Sequence, residues 1–544
     1  MKDLSRRDFF KGAAVASVGA ATLGLATEAI ASPVAGGADW MPAWDETTDV
    51  IVMGFGGAGG SAAMAAKQAG AEVIVFEKSH LADGGSTGCA SGNLHTAPKS
   101  DPNEWIPKVI EGCYGTTDEE TIRKMVAHAM DTPDYMESIG MNMEWVEART
   151  NSLTRPSVSS PGRVVGYDGN EGRFLWAETL RAAEAMGIDY RLSTPVRDLI
   201  QNPVTKEILG VMVVDPSGAE KYIKASRGVV LACGGYGNSP WHQMNFNYPG
   251  IRLWPWGTIN NTGDGIDLVC RVGAALWHMH GLEFSSVNYL QPSMVCGASI
   301  STDATIGIQP YNHIFVNTQG IRFMNEAKSM NHDIESKPVM NFLDSINGYV
   351  NMPFFMIFDD VMFNDRPLWA GSGRAGGGII NTYAGVQKLL TWGPDNSIAL
   401  AEGWIFKGDT LAELAAQVKT KDLTGKDVTI DPAGLEATVA EWNEFVAAGE
   451  DGAFGRNPER MAPISTGPFY AIEMGLSNIN TQGGARRNGD CQIVDTVGKP
   501  IGRLFGAGEF GSINGYVYVY GNIFEAYTSG MVAGQNAAAQ APWE

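Results

Sequence analysis

Three glycines at a fixed spacing, followed by an acidic residue, provide the clearest chemistry in this chain. Gly54, Gly56 and Gly59 follow a β-branched run, and Glu77 comes 23 residues after the first glycine. Glycine lets the backbone approach a pyrophosphate closely, and a helix that begins there offers free N–H groups to the phosphates. An acidic residue at this distance accepts hydrogen bonds from ribose hydroxyls. The pattern predicts a dinucleotide site with these contacts: Gly54, Gly56, Gly57, Ala58, Gly59, Glu77 and Lys78.

A second cluster of glycine and hydroxyl residues follows the acidic residue. Residues 84–88 read Gly-Gly-Ser-Thr-Gly. NAD-dependent enzymes do not usually need such a cluster here, whereas the ribityl chain and second phosphate of FAD extend beyond the first loop. The cluster therefore favours FAD over NAD and adds Gly85, Ser86 and Thr87 to the predicted contacts.

The elements that must position these residues form a βαβ unit. Residues 49–53 and 72–76 are short strand-like runs, and the Ala-rich residues 61–69 between them are helical in character. Two later strand-like runs, residues 228–233 and 503–507, also end in glycine turns. We therefore expect an α/β fold in which the middle of the chain is inserted into a split nucleotide-binding domain.

The first 31 residues predict an export signal. Arg6 and Arg7 precede a mildly apolar run that extends to about Leu25, and Ala29-Ile30-Ala31 provides small residues for cleavage after residue 31. The paired arginines indicate the twin-arginine route, so we expect export across the cytoplasmic membrane to the periplasm or cell envelope. An uncleaved membrane anchor fits less well, because the run is too mildly hydrophobic to hold a bilayer firmly.

Composition excludes several classes of function. The 544 residues carry a formal net charge of −21, which argues against nucleic acids and anionic lipids as partners. Beyond the signal, no apolar run is long enough to cross a membrane, so no stable membrane insertion is expected. The six cysteines form no C-x-x-C motif, which speaks against a zinc ribbon or attached haem and leaves disulfide pairing open. His278 and His280 alone make a poor metal site, and no metal is predicted.

Five further motifs lie along the rest of the chain. They are Ala232-Cys233-Gly234-Gly235, Asn261-Thr262-Gly263-Asp264-Gly265, residues 315–326, Gly506-Ala507-Gly508-Glu509, and Gly521-Asn522. Together with the glycine motif, they resemble the superfamily of FAD-dependent fumarate reductases and 3-ketosteroid dehydrogenases, in the family's order. The resemblance adds these cofactor contacts: Gly234, Gly235, Asp264, Gly508, Glu509, Asn522 and Ile523.

The resemblance implies a split Rossmann-like FAD-binding domain, residues 45–287 and 481–544, with an inserted α+β capping domain, residues 288–480. It implies a substrate held between the cap and the flavin, and a hydride exchanged between flavin N5 and an activated carbon–carbon bond. Fumarate reductase complexes bond the flavin to a histidine where this chain has Ser86. We therefore expect FAD to be bound non-covalently.

At three places this chain lacks a basic residue that the fumarate reductase pattern contains. The resemblance would place a proton-donating arginine at Met330 and a carboxylate-binding arginine at Tyr518, and it would place a histidine within residues 479–484, which contain none. A dianion that leaves water needs charge-assisted partners, because burying an unpaired charge is costly. We therefore expect an uncharged, apolar substrate rather than fumarate.

Tyrosines occupy the region where one of these arginines would be. Tyr516 or Tyr518, depending on where the alignment is anchored, matches a functional tyrosine of the ketosteroid dehydrogenases, and Tyr311 flanks the capping motif. A phenol can donate a hydrogen bond to an enone carbonyl or a proton to the carbon beside it. All three are candidate catalytic residues, although alternating tyrosines in residues 515–520 also fit packing on one face of a strand.

These observations predict an exported FAD-dependent oxidoreductase that reduces an activated C=C bond. Electrons would come from an external carrier such as a membrane cytochrome or quinol system, because NADH is absent outside the cell and the chain has no haem motif. Two alternatives share the same residues. One is a ketosteroid-type dehydrogenase running in the oxidative direction, and the other is a non-catalytic flavin electron-transfer subunit.

Overall fold

The computed structural model describes most of the chain. It covers residues 40–90, 94–95, 105–145, 161–164, 172–248, 251, 253–255, 258–288, 312–327, 338–365, 368, 395–515 and 521–543. All the elements named here belong to one compact unit, Trp44–Asn202 with Lys206–Glu544.

The first part of the chain alternates strands and helices. Its elements are β1 (Glu46–Met53), α1 (Gly57–Gln68), β2 (Val73–Phe76), α2 (Gly85–Cys89), β3 (Leu94–His95), α3 (Trp105–Gly112), α4 (Glu119–Ser138), β4 (Met143–Trp145), β5 (Pro161–Val164), α5 (Gly172–Ala185), β6 (Asp189–Arg191), β7 (Val196–Gln201), β8 (Ile208–Val214) and β9 (Glu220–Leu231).

The remainder of the chain contains more short strands. Its elements are α6 (Pro240–Phe246), β10 (Trp254–Pro255), α7 (Asp264–Arg271), β11 (Leu276–Trp277), β12 (Leu282–Asn288), β13 (His313–Asn317), β14 (Phe342–Leu343), β15 (Gly348–Tyr349), β16 (Phe354–Asp359), α8 (Asp360–Asp365), α9 (Ser397–Ala401), β17 (Phe406–Gly408), α10 (Leu411–Gln417), β18 (Thr420–Lys421), β19 (Asp427–Val428), α11 (Pro432–Ala448), a 3-10 turn (Pro458–Arg460), β20 (Phe469–Thr481), β21 (Gly484–Ala485), β22 (Gln492–Val494), β23 (Pro500–Gly506) and α12 (Asn522–Ala538).

The main sheet is built around parallel strands and confirms the predicted βαβ unit. Its order is β22-β23-β9-β1-β2-β6, with β8 and β7 added beyond β9. β1 pairs in parallel with both β2 and β9, and β23 pairs in parallel with β9. Since the carboxyl ends of parallel strands share one edge, the glycine turns after β1, β9 and β23 converge there, and we call this the ligand edge.

Helices α1 and α12 pack so closely that their backbones touch. A Cβ on Gly530 would collide with the carbonyl oxygen of Ala58, and a Cβ on Gly534 would collide with that of Ala62. Two glycines four residues apart lie on one face of a helix and let a neighbouring helix approach. These two glycines therefore let α12 pack directly against α1, the helix of the βαβ unit.

A second sheet contains strands from the middle of the chain. Its order is β10-β20-β16-β13, and β20 also pairs with β12 and β17. β20 is 13 residues long and runs antiparallel to β16, β12 and β17. Because β20 ends at Thr481, it brings this sheet to the ligand edge. The boundaries given above for a capping domain stay predictions.

A cluster of buried charges lies beside the second sheet. Arg322 forms ion pairs with Glu326 at 2.8 Å and with Asp451 at 2.8 Å, and Arg456 pairs with Glu326 at 3.3 Å. The guanidinium of Arg322 also lies over the ring of Trp442, 4.7 Å from its centroid. Two positive and two negative groups thus compensate one another away from water.

The predicted signal, residues 1–31, lies outside the described residues. Of the helices that the structure describes, none is both long and apolar enough to cross a bilayer. The cysteines of the described chain are free thiols: Cys89, Cys113, Cys233, Cys270 and Cys491.

Gly534→Ala should destabilise the protein by about 1–3 kcal/mol, because the added Cβ forces α1 and α12 apart. Gly452→Ala is the matched control, since a Cβ at Gly452 meets only Phe445 Cε1 at 3.5 Å. The control should change the free energy of unfolding by less than about 0.5 kcal/mol. Chemical denaturation followed by circular dichroism measures both values, and equal stabilities would contradict the close helix packing.

Arg322→Met should lower the free energy of unfolding by about 3–5 kcal/mol at neutral pH, because it removes the arginine paired with buried Asp451 and one of the two arginines paired with Glu326. Burial alone would raise the pKa of Asp451, but the hydrogen bond from Arg322 lowers it to about 2. This carboxylate therefore contributes stability above its unfolded pKa of about 4 and loses it as the pH falls towards 2. Urea denaturation should show that the difference between variant and wild type shrinks over that window; a difference independent of pH would refute the pairing.

Candidate functional site

The turn between β1 and α1 leaves no room for side chains. Gly54 has a φ of +97°, and a Cβ on it would lie 2.5 Å from the carbonyl oxygen of Ala232. A Cβ on Gly59 would collide with the carbonyl oxygen of Gly54. The N-cap of α1 is Gly56, which provides no side-chain cap, so the N–H groups of the first turn that follow Gly57 can bind an anion.

Glu77 follows β2, at the place predicted for the ribose acceptor. Its Oε2 accepts a hydrogen bond from the N–H of Phe55 at 2.8 Å, and its Oε1 accepts one from the N–H of Ser79 at 2.7 Å. Burial raises the pKa of Glu77, and the two N–H groups oppose that rise. The backbone thus fixes the carboxylate, and each oxygen keeps a lone pair for a hydroxyl donor.

Lys78, also predicted to contact the cofactor, is bound to Asp264. Its Nζ donates to Asp264 Oδ2 at 2.8 Å and to Thr262 Oγ1 at 2.5 Å. Burial would raise the pKa of Asp264, but Lys78 lowers it. The two predicted contacts therefore form an ion pair beside the start of α7.

Ser86 and Glu509 meet at the ligand edge from opposite ends of the chain. Ser86 Oγ donates to Glu509 Oε2 at 2.9 Å, and Asn261 Nδ2 donates to the same oxygen at 3.0 Å. Glu509 Oε1 accepts from the N–H of Thr481 at 3.0 Å. These partners are neutral, and burial raises the pKa of Glu509. The cluster joins the main sheet to the end of β20.

The predicted glycines of this edge are held against the same residues. Gly234 has a φ of +70°, and a Cβ there would collide with Asn261 Oδ1. A Cβ on Gly235 would collide with Thr481 Oγ1. Thr87 Oγ1 accepts from the N–H of Gly57 at 3.1 Å and so ties α2 to the first turn of α1.

The N-terminus of α12 is held by a buried ion pair that the sequence did not indicate. Glu525, in the first turn, pairs with Arg487, and each side chain is 1% exposed. Glu525 also accepts from Ser512 Oγ at 2.6 Å and from the N–H of Ile513 at 2.8 Å. Burial raises the pKa of Glu525, and Arg487 opposes the rise. Like α1, this helix has no side-chain cap, and it begins at the predicted contact Asn522.

Of these additional residues, two had a signal in the sequence. Asn261 and Thr481 lie within stretches already compared with the family, whereas Arg487 and Glu525 lie 38 residues apart in no motif. Only the fold brings the latter two together.

The candidate catalytic tyrosines, Tyr311, Tyr516 and Tyr518, lie outside the described residues, as does Met330. Their assignment stays a prediction. Within the described chain, no group of three or more His, Cys, Asp or Glu side chains is arranged to hold a metal ion.

The ligand edge fits FAD. The glycine turn and the uncapped N-terminus of α1 can hold a pyrophosphate, Glu77 can accept ribose hydroxyls, and the second turn after β2, around Ser86, faces Glu509. The uncapped N-terminus of α12 offers a second place for developing negative charge. These features are what an elongated dinucleotide with two phosphates requires.

Comparison with other proteins points the same way. A Shewanella frigidimarina protein that carries the name probable fumarate reductase is 28% identical over 512 residues, which cover 91% of this chain and 76% of that protein. The digoxin reductase of Eggerthella lenta is 26% identical, and the alignment covers 100% of this chain and 98% of that protein.

A solved structure shares the fold. The 3-ketosteroid Δ1-dehydrogenase from Sterolibacterium denitrificans, in complex with 1,4-androstadiene-3,17-dione, superposes with a TM-score of 0.72 at 21% identity, covering 91% of this chain and 100% of that one. The family described as FAD binding domain matches residues 49–522. This match confirms FAD as the cofactor and an FAD-dependent oxidoreductase as the class of enzyme. The chain therefore belongs to the FAD binding domain family.

Proposed function

We propose that this chain reduces an activated carbon–carbon double bond in an uncharged, largely apolar substrate. The observation that carries the proposal is that four cations of the described chain, one at the ligand edge and three buried, are already paired with carboxylates. Lys78 and Arg487 each pair with a carboxylate. So do the other two buried arginines that the structure describes, Arg322 and Arg456.

The relatives alone do not decide the charge of the substrate. One is named for fumarate, a dianion, and the other for digoxin, an uncharged compound. A dianion that used one of these four cations would have to take it from its present carboxylate, and leaving a buried carboxylate unpaired would cost about 3–5 kcal/mol. The places where the resemblance puts the family's cationic contacts, Met330, Tyr518 and residues 479–484, hold only neutral residues.

When bound, FAD supplies hydride chemistry at flavin N5. The chain's own residues bind and orient the cofactor and the substrate. The glycine turn and α1 hold phosphate, Glu77 holds a ribose, and the N-terminus of α12 stabilises negative charge. Tyr516 or Tyr518 transfers a proton to the substrate carbon beside the activating carbonyl.

The proposal includes export by the twin-arginine route and an external electron carrier such as a membrane cytochrome or quinol system. It is supported by the Arg6-Arg7 pair with the small residues that follow, and by the absence of a haem-attachment motif from the sequence. An exported flavoprotein chain that attaches no haem would receive its electrons from a carrier outside the chain.

The substrate class can be tested by reducing the FAD-loaded protein with dithionite without oxygen and mixing it with candidate acceptors. Uncharged enones should re-oxidise the flavin at least about 100-fold faster than fumarate, since an unpaired charge costs about 3 kcal/mol or more. Stopped-flow absorbance of the flavin measures each rate. Rapid re-oxidation by fumarate would disprove the proposed substrate class.

Tyr516→Phe and Tyr518→Phe, made separately, should identify the proton donor. The variant that lacks the donor should be re-oxidised by an enone about 10²–10⁴-fold more slowly, because general acid catalysis is lost while the ring is kept. The other variant serves as its matched control, and both should retain FAD. If neither slows the reaction, the proton comes from another group.

A further inference from the structure

Two buried amide side chains at the end of β20 have no hydrogen-bond partner within the part of the chain that the structure describes. Asn478 and Gln482 are each 1% exposed. The nitrogen and oxygen of both amides lack partners. Buried polar groups in folded proteins are nearly always hydrogen-bonded, so a pair left unsatisfied at both ends calls for a cause.

Among the described residues, only Asn478 and Gln482 have amide side chains in which both the nitrogen and the oxygen are buried without a partner. Asn396, which is fully buried, accepts from the N–H of Leu368 at 2.8 Å and donates to the carbonyl oxygen of Phe363 at 2.7 Å. Asn317 donates to Asn351 Oδ1 at 3.0 Å. A complete lack of hydrogen-bond partners is therefore specific to Asn478 and Gln482 and is not general among the buried amides that the structure describes.

Asn478 and Gln482 lie next to the ligand edge. A Cβ on Gly237, just after the turn of β9, would lie 2.8 Å from Asn478 Nδ2. Thr481, between the two amides in sequence, donates its N–H to Glu509 at 3.0 Å. The N–H of Gln482 donates to the carbonyl oxygen of Gly281 at 2.8 Å, which fixes its backbone. Both amides are thus held on rigid backbone beside the cluster that joins β20 to the cofactor site.

We propose that Asn478 and Gln482 form a subsite for an uncharged oxygen group of the substrate, either a carbonyl or a hydroxyl. An amide presents a donor and an acceptor, so two amides can bind a carbonyl through N–H groups or a hydroxyl through both kinds of atom. They supply no charge for a carboxylate, and their oxygens would repel one. The inference rests on the proposed function, because it assigns the polar contacts of a neutral substrate.

Replacing Asn478 with leucine separates a ligand role from a structural one. An unpartnered buried amide stabilises nothing, so Asn478→Leu and Gln482→Leu should leave the melting temperature of the FAD-loaded protein unchanged or raise it. Testosterone, which carries an enone and a hydroxyl, is the probe, and its Kd is read from the perturbed flavin spectrum of the oxidised protein. Each variant should bind it about 10-fold or more weakly than wild type.

Asn396→Leu is the matched control, since it removes a buried amide whose oxygen and nitrogen are both hydrogen-bonded. It should lower the melting temperature and leave the Kd of testosterone unchanged. Wild-type affinity in both Asn478→Leu and Gln482→Leu would overturn the subsite while leaving the proposed function intact. A fall in melting temperature like that of the control would also overturn it, because the amide would then have a structural partner such as a buried water. If wild type binds no testosterone and fumarate re-oxidises its reduced flavin, the proposed function and the subsite both fail.

Discussion

The backbone contact between α1 and α12 is the constraint on which the ligand edge depends. Each helix begins without a side-chain cap, and each N-terminus can stabilise negative charge. Gly530 and Gly534 let the two axes approach until carbonyl groups of α1 limit them. A side chain at either position would separate the helices and therefore the two charge-stabilising ends. The glycine turn after β1 is equally crowded, so the cofactor's phosphate end has little freedom to shift.

Around this frame, three carboxylates that are partly or fully buried are stabilised in different ways. Glu77 is held by backbone N–H groups, Glu509 by neutral hydroxyl and amide groups, and Glu525 by Arg487. Desolvation raises the pKa of all three, so each must recover stability from its particular partners. Only Glu525 of the three pairs with a cation, and this pair neutralises the charge of Arg487 inside the protein. The internal pairing of Arg487 supports the proposed uncharged substrate.

The parts of the site that could be predicted from the sequence are those where a single residue type meets the physical requirement of its position. Gly54 and Gly59 were identifiable because only glycine fits where backbone meets backbone, and Glu77 because its spacing follows from the length of a βαβ unit. Lys78 was expected at the cofactor but pairs with Asp264, almost 190 residues away in sequence. No local sequence pattern predicts such a distant partner. The pairing of Arg487 with Glu525 and the contact of Thr481 with Glu509 escaped prediction for the same reason. The tyrosine assignments rest on sequence alone, since those residues lie outside the described part of the chain.

The order of elements along the chain also has a consequence for biosynthesis. The turn around Gly59 leaves the ribosome early, whereas Gly530 and Gly534, against which α1 packs, follow only after more than 470 further residues. β23 and Glu509, which complete the edge, are made almost as late. A nascent polypeptide thus lacks half of the pocket until residues 500–534 have been synthesised. The complete edge can therefore enclose the flavin only after these late residues have joined α1 and β1.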